Sequence, residues 1–440
     1  VLATRSGVGY KIPGHEPGIH QILLAGVNLK IAVIGGGAGG LTAAYLLDAA
    51  HEVHLFERHP ILGGNVRTLG ANVTCPRLED GVIVENGVSW FHKNTYPNTH
   101  RLLDHLEVRQ RTTLLNSSII LHNGHRCHTS VFYGFRSLDW EELWLEQHGL
   151  AEAARDILGL LRRSEVQSES ELNGVPLAIY LDRVGNLTAQ WARGIVGAYF
   201  SSPFDEVNHF PADMLLPALR HWLRERHCTV LPEGVFSYMQ KMVDQMRGQI
   251  HVGVAVRGIH RTRDGITVDL PDGCQSFDRV VIATTPQCAW QLLCDPTPDE
   301  SHWFGRWRDH TYRTTAHFSE SMYEQRGVGF RTECDCFERT ERGTVGYNCS
   351  LNELYGIDSS RKYNFSAHME DEIEPDRILD QQDHVTPIFH VDSSIYRHQV
   401  RKANGRNHTY YVGAYLIDGL QEGAITTAME VAALLGGRTI

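Results

Sequence analysis

The run Lys30-Ile31-Ala32-Val33-Ile34-Gly35-Gly36-Gly37-Ala38-Gly39-Gly40 constrains this chain more than any other stretch. A short apolar segment suited to a strand buried on both faces ends abruptly in glycine. Leu41, Ala44, Tyr45, Leu47 and Ala49 then recur at helical spacing, and His51 leads into a second strand, Glu52 to Glu57. Inside the turn the spacing is Gly35-x-Gly37-x-x-Gly40. The first glycine permits the tight turn, the second lets backbone N–H groups approach a pyrophosphate, and the third lets helix and strand pack closely. Glu57 stands 20 residues past Gly37, at the end of the second strand, where a carboxylate accepts hydrogen bonds from ribose hydroxyls. This βαβ opening predicts a dinucleotide site. An acid rather than an arginine at that position disfavours a 2′-phosphate. The glycine triad does not separate FAD from NAD.

Charge excludes one class of partner. The 440 residues carry 41 Lys+Arg against 52 Asp+Glu, a net charge of −11, with no basic face for nucleic acid. The one long uncharged run, Ile31 to Leu47, is broken by glycines, so no transmembrane helix and no integral membrane association are expected. Nine cysteines lie between Cys75 and Cys349 without a C-x-x-C pair, which fits reduced thiols in a cytoplasmic protein. Six Asn-x-Ser/Thr sequons, at Asn72, Asn116, Asn186, Asn348, Asn364 and Asn407, read as chance matches. Residues 1–28 lack the features of a signal peptide and read as an N-terminal arm.

Periodicity outlines the remainder. Helices are expected over Ala151–Leu161, Ala212–His227, Phe236–Met246 and Glu422–Leu435, and strands over Ile250–Ile259, Gly265–Leu270 and Arg279–Ala283. Residues 303–350 and 385–413 are strand-like with interleaved aromatics, while the middle of the chain offers no strand-rich run. His122, His125, Cys127 and His128 match no established zinc spacing, and Leu121 to His125 looks like a hairpin turn, so no metal is expected there. Cys334-x-Cys336, in a stretch rich in Glu and Arg, reads as a solvated loop.

Several segments carry a resemblance. Leu62-Gly63-Gly64-Asn65-Val66-Arg67-Thr68 resembles the second glycine motif of the flavin-containing amine oxidase superfamily, which includes protoporphyrinogen oxidase and phytoene desaturase. Val256-Arg257-Gly258-Ile259 resembles the family's adenine strand, Val280 to Pro286 its "VIxATxP" strand, and Gly413 to Ala424 its C-terminal segment under the flavin. Val84-Glu85-Asn86-Gly87, Asn94 to Asn98, Ser202 to Val207 with Phe210-Pro211-Ala212, and Gly413-Ala414-Tyr415 are similar to a bacterial subgroup of predicted NAD/FAD-binding amine-oxidase-like proteins. A more distant likeness is to polyenoic fatty acid isomerase.

The resemblance implies an α/β fold: a discontinuous FAD-binding Rossmann-type domain from 29–95, 232–290 and 385–440, and a substrate domain of mixed sheet and helices from 96–231 and 291–384. It implies FAD, held by Gly35, Gly37, Ala38, Gly39 and Gly40 at the pyrophosphate and by Glu57 with Arg58 at the adenosine. Gly64, Asn65 and Arg67 belong to the diphosphate side, and Val256 to the adenine. Gly87, Val88, Ser89, Ala283 and Gly413 belong to the cofactor cleft, and Gln421 and Glu422 to the ribityl and ring end. Asn65 replaces the arginine usual after the Gly-Gly pair, Ala414 replaces the acid usual after the C-terminal glycine, and Leu420 stands where a ring is expected. No cysteine follows Cys349, so the flavin is expected to be non-covalent, and no lysine lies between Gln287 and Arg361 to hold a water beside N5, as many amine oxidases do.

Catalytic candidates come from segments beside the flavin in the family: Trp90, His92 and Tyr96 after the Gly87 loop, and His317 and Tyr347 on strands expected to floor the substrate cavity. The reading is an FAD-dependent oxidoreductase taking hydride from a C–N or C–C bond of a small organic substrate, with oxygen or another acceptor reoxidising the flavin. A flavin-dependent double-bond isomerase and a flavin-free NAD-binding module are the alternatives.

Overall fold

The computed structural model describes residues 27–120, 126–128, 159, 169–222, 227–329, 331–339 and 344–440. Residues 1–26 of the expected arm, the helix expected over Ala151–Leu161 apart from residue 159, and His122 and His125 lie outside the described residues.

The opening unit folds as its pattern dictates. β1 (Lys30–Ile34) and β2 (Glu52–Glu57) pair in parallel, with α1 (Ala38–Leu47) between them. Ile31, Ala32, Val33 and Leu55 are fully buried, which is why β1 reads as a continuous apolar run. Strands far apart in sequence extend the sheet: β5 (Gln249–Val252) beside β2, β9 (Arg279–Ile282) beside β1, and β15 (Thr409–Tyr411) beside β9. The order is β15-β9-β1-β2-β5, all parallel. The last helix, α5 (Gln421–Leu435), packs on α1, burying Ala424, Ile425, Ala428, Val431 and Ala432 at helical spacing. Expected strand Ile250–Ile259 is two elements: β5 ends at Val252, and β6 (Gly258–Arg261) opens an antiparallel sheet with β7 (Ile266–Leu270) and β8 (Gly273–Phe277).

The second large sheet has the order β14-β10-β13-β12-β11-β3-β4. Its strands are β3 (Ser117–Ile120), β4 (Arg126–His128), β10 (Asp309–His317), β11 (Cys334–Arg339), β12 (Thr344–Ser350), β13 (Asn364–Ala367) and β14 (Ile378–Pro387). The domain boundary expected at 385 therefore falls inside β14. Strand alternation gives this sheet two different faces. Tyr312, Ala316, Cys334, Cys336, Tyr347, Cys349 and Phe365 turn into the main core shared with the parallel sheet. Asp335, Asn348, Asn364, Ser366 and His317 turn to the other face, where they bond to one another or to Tyr323, Ser319 and Ser118.

Three expectations fail here. Residues 385–413, expected to be strand-like, carry strand only at their two ends, with the helices Val391–Ser394 and Arg397–Ala403 between. Cys334 and Cys336 are 5% and 1% exposed on β11, so the pair is core and not a solvated loop. The surrounding charged residues misled, because Asp335 and Arg339 on this strand are themselves buried. The helix expected over Ala212–His227 is described over Ala212–Trp222, and His227 at its expected end instead begins the short strand His227–Val230. Asn348 and Asn364 are fully buried, so the sequons there are chance matches, as expected.

Candidate functional site

The C-terminal ends of the parallel strands collect the predicted cofactor residues, as open α/β sheets do with their ligands. Gly35 ends β1, Glu57 ends β2, Ala283 follows β9, and Gly413 lies just beyond β15. Main-chain bonds lock this edge: Gly35 N donates to Phe56 O at 2.8 Å, and Ala283 N to Ile34 O at 2.8 Å. Gly413 N donates to Thr427 Oγ1 at 3.1 Å, tying the segment after β15 to α5.

The two glycine motifs meet directly. Gly63 N donates to Gly36 O at 2.9 Å, and Gly37 and Gly63 form a parallel bridge. A Cβ on Gly64 would lie 2.9 Å from Gly37 Cα, and Gly64 has φ +59°, so only glycine suits this crossing. The Glu57 carboxylate accepts from Gly36 N at 2.7 Å and from His59 N at 2.8 Å, which fixes it at the strand end with lone pairs to spare. Arg58 is exposed, with Nε donating to His59. Val256 is half-buried between β5 and β6.

These residues fit FAD on three counts. The first turn of α1 has no acidic side chain and no side-chain cap at Gly37, and its first internal bond runs from Leu41 N to Gly37 O, so the N–H groups of Ala38, Gly39 and Gly40 are available to an anion. Gly37, Ala38, Gly64, Gly87, Val88, Gly413 and Ala414 each keep partial exposure among buried neighbours, which leaves these small residues open to a ligand. Buried Gln421 donates Nε2 to Tyr238 at 2.8 Å, while its Oε1 has no partner among the described residues.

A polar network joins Arg67, Asn86, Asp380 and His384. Burial pulls Arg67 below the usual guanidinium range, while the charges of Glu57 and Asp380 hold it up. Arg67 Nη1 donates to Val66 O, and Arg67 O accepts from Asn86 N. Asn86 in turn donates to Asp380 Oδ2 at 3.1 Å, and its carbonyl meets His384 Nε2 at 3.1 Å and Thr314 Oγ1 at 3.2 Å. Gly87 cannot carry a side chain, since a Cβ would fall 2.3 Å from Asn65 O and 3.2 Å from the His384 ring. Asn65 itself is exposed, and Ser89 donates Oγ to Gly87 O. Burial, with the Arg67 charge second, pushes His384 down to about 4. Sequence reasoning missed Asp380, His384 and Thr314. Asp380 and His384 share one face of β14 through the period of two, a signal legible only once that strand is known.

Beyond Gly87 the chain enters an aromatic cluster. Trp90 Nε1 donates to Tyr199 OH at 3.3 Å, and the Trp90 ring lies 6.3 Å from Phe365, which meets Tyr347 edge-on at 5.9 Å. Tyr199, on α3 (Asn186–Phe200), stacks at 4.1 Å on Trp222 of α4 (Ala212–Trp222), and His92 stacks on Trp222 at 5.5 Å. Trp90 and Tyr199 keep partial exposure, whereas Tyr347, Phe365 and His92 are buried. The structure thus brings Trp90, His92 and Tyr347 together and adds Tyr199, Trp222 and Phe365, which the sequence reading did not single out.

Tyr96 and His317 stand apart. Tyr96 leads into α2 (Pro97–His105), packs on Phe91 at 5.6 Å, and has its phenol pushed up by burial and by Asp418 and Glu422. Glu422 accepts from Asn98 N, Thr99 N and Thr99 Oγ1, so its carboxylate caps α2. His317 lies on the face of the seven-stranded sheet opposite Tyr347. Its Nδ1 accepts from Ser319 N at 3.1 Å, so the proton sits on Nε2, which faces Ser366 Oγ at 2.7 Å and Asn348 Oδ1 at 3.2 Å. Burial pushes it down to about 3. This enclosure replaces the expected acid/base residue with a structural histidine, because the alternation of β10 sends residues 312, 314 and 316 inward and 317 outward. His317→Asn should lower stability by about 1–3 kcal/mol through its stranded partners and leave the pH profile of turnover unchanged. A changed profile would return His317 to catalysis.

His92, His317 and His384 are all buried in neutral form, at about 3, 3 and 4 against 6.5 unfolded. Their folded values are depressed, so their contribution is present above pH 6.5 and is lost as pH falls towards about 4 for His384 and about 3 for His92 and His317. Each adds about 1.4 kcal/mol per pH unit to the slope in that window, readable from urea unfolding at stepped pH.

Residues 38–308 match the model of the family described as flavin containing amine oxidoreductase. Over 296 residues the chain is 24% identical to 15-cis-phytoene desaturase of Solanum lycopersicum, covering 60% of this chain and 48% of that protein. Over 93 residues it is 34% identical to 15-cis-phytoene desaturase of Arabidopsis thaliana, covering 21% of this chain and 15% of that protein. The chain spans about half the length of the first of these curated relatives. Among solved structures, a putative protoporphyrinogen oxidase from Exiguobacterium sp. 255-15 superposes with TM-score 0.67 at 16% identity, covering 92% of this chain and 98% of that one. The CLA-producing fatty acid isomerase from P. acnes gives TM-score 0.67 at 16%, covering 91% and 97%. Cyclohexylamine oxidase from Brevibacterium oxydans IH-35A gives 0.67 at 12%, covering 93% and 99%. At such identities these likenesses are of fold. Among the described residues no helix is long and apolar enough to cross a membrane.

Proposed function

The chain belongs to the flavin-containing amine oxidoreductase family, and from that premise we propose that this FAD-dependent oxidoreductase takes hydride from a C–C bond of a largely apolar, unsaturated substrate. Bound FAD supplies the hydride-accepting ring. The N–H groups opening α1 hold the pyrophosphate, Glu57 the ribose hydroxyls, and Arg67 the phosphate charge. Trp90 and Tyr199, backed by Trp222, Phe365 and Tyr347, hold the substrate and exclude water.

The observation that carries this reading is the inner wall itself. No lysine lies between Gln287 and Arg361, the inward positions of β10 are Tyr312, Thr314 and Ala316, and the residue before Gln421 is Leu420 rather than a ring. His92, the basic group in the aromatic cluster, is held neutral by burial. A wall of this kind favours an apolar substrate over a primary ammonium. The flavin is held without a covalent bond.

Anaerobic mixing of the yellow protein with unsaturated lipids, polyenes and primary amines tests this. Bleaching by the apolar unsaturated compounds, with a product two hydrogens poorer, is expected. Bleaching by amines alone overturns the C–C reading, and a product of unchanged oxidation state makes the enzyme an isomerase. Trp90→Ala should raise KM about tenfold, equivalent to about 1.4 kcal/mol of lost contact, with little change in kcat.

A further inference from the structure

We propose that His260, Asp269, Cys274 and Cys294 form a binding site for a thiophilic divalent ion, zinc in the first instance, at the face of the β6-β7-β8 sheet. The backbone places three of the four residues together. Asp269 is opposite Gly258 on one side and Cys274 on the other, and His260, two residues after Gly258, shares the same face. Arg257 N donates to Asp269 O at 2.9 Å, which fixes the central strand.

The fourth residue arrives from a different part of the chain. Leu293 bridges to Ile259 in parallel, and Cys294 N donates to Ile259 O at 3.1 Å, so the thiol is docked against β6 by main-chain pairing. The ligand atoms of His260, Asp269 and Cys294 all lie within 4.8 Å of one another. His260 Nε2 is 2.7 Å from Asp269 Oδ2, and Cys274 Sγ is 3.1 Å from the other carboxylate oxygen.

Gly258 makes this approach fit. A Cβ there would stand 2.8 Å from Cys294 Sγ and 3.0 Å from Asp269 Oδ2, so any side chain would push the two ligand atoms away. Tetrahedral zinc, with bonds of about 2.0–2.3 Å, needs ligand atoms roughly 3.2–3.8 Å apart, so the His260, Asp269 and Cys294 atoms would close in and the Cys274 thiol, which lies outside that trio, would swing from Asp269 towards the ion. Two thiols, an imidazole and one carboxylate suit zinc, and not the oxygen-seeking magnesium or calcium. His260, Cys274 and Cys294 are exposed, so an ion has an entry path, and binding releases the thiol protons to solvent. The ion would clip the loop at 293–294 to the hairpin, apart from the aromatic cluster, and so act on stability rather than on turnover.

The test uses the intact flavoprotein, kept reduced with a phosphine, stripped with chelator and titrated with Co2+. One Co2+ per chain with a thiolate-to-cobalt charge-transfer band, displaced by Zn2+, is expected. Cys294→Ser and Cys274→Ser should each weaken Zn2+ binding at least tenfold and diminish that band, with flavin content unchanged. Absence of the band, or a band that survives both substitutions, overturns the site. A Cys274–Cys294 disulfide in protein isolated without reductant, seen as a mass two daltons lower, overturns it as well.

Discussion

Gly37→Ala is expected to give a folded protein that retains less than a tenth of its FAD, whereas Gly40→Ala is expected to lose fold and flavin together. The two glycines are three residues apart in one motif, yet a methyl group meets different surroundings at each. At Gly37 the new Cβ would find only Gly64 Cα, at 3.6 Å, an ordinary contact, and the backbone angles of φ −81° and ψ −172° are open to alanine. The methyl would instead occupy the space in front of the first-turn N–H groups, where pyrophosphate must come within hydrogen-bond distance. At Gly40 the Cβ would fall 1.8 Å from Gly35 O and 3.2 Å from Ala283 Cβ, so α1 must move off the sheet. Flavin absorbance per protein and far-ultraviolet circular dichroism separate the outcomes. A Gly37→Ala protein with full flavin content would sink the assignment of this turn to FAD.

Arg261→Met should cost about 3–5 kcal/mol of stability, the second large effect. Arg261 on β6 donates from Nη1 to Glu300 Oε1 at 2.7 Å and from Nη2 to Oε2 at 2.9 Å, and its side chain is 2% exposed against 7% for Glu300. Glu300 also accepts from Thr297 N and from Tyr411 OH on β15, so one carboxylate ties the antiparallel sheet to the parallel one. Burial opposes its ionisation, but the bonds from Arg261, Thr297 and Tyr411 outweigh that and hold it at about 2. A carboxyl depressed from 4.5 to about 2 contributes stability that is complete above pH 4.5 and is lost as pH falls towards 2. Without Arg261 the charge is stranded, and this acid dependence should flatten. The double substitution Arg261→Met with Glu300→Gln should cost less than the single one, since no buried charge is left alone. Urea unfolding of both variants between pH 3 and 7 checks the claim, and a single variant within 1 kcal/mol of the parent would refute it.

How much of the site was legible follows from how local each part is. The glycines of the first motif, Glu57 and the Gly63-Gly64 pair were readable because each does its work within a few residues of itself, where turn geometry and strand ends are set by the chain. Trp90 was legible as a candidate only through the loop after Gly87. The ring it bonds, Tyr199, is more than 100 residues away and sits in a helix whose spacing gives no sign of a site. His317 shows the opposite error. Its strand was anticipated, but which way a residue points depends on register, and a shift of one position exchanges floor and outer face. Cys334 and Cys336 were misjudged because charged neighbours suggested exposure, whereas Asp335 and Arg339 on the same strand are buried too.

By itself the sequence determined the βαβ opening and the net charge, because those properties rest on contiguous backbone chemistry and composition. Only the tertiary structure decided the order in which the distant strands pair, which face of β10 and β12 meets the aromatic cluster, and that Asp380, His384 and Thr314 gather around Asn86 and Gly87. The physical reason is that burial and pairing are relations between segments, and a side chain acquires its partners, its protonation and its reach only when the second segment arrives.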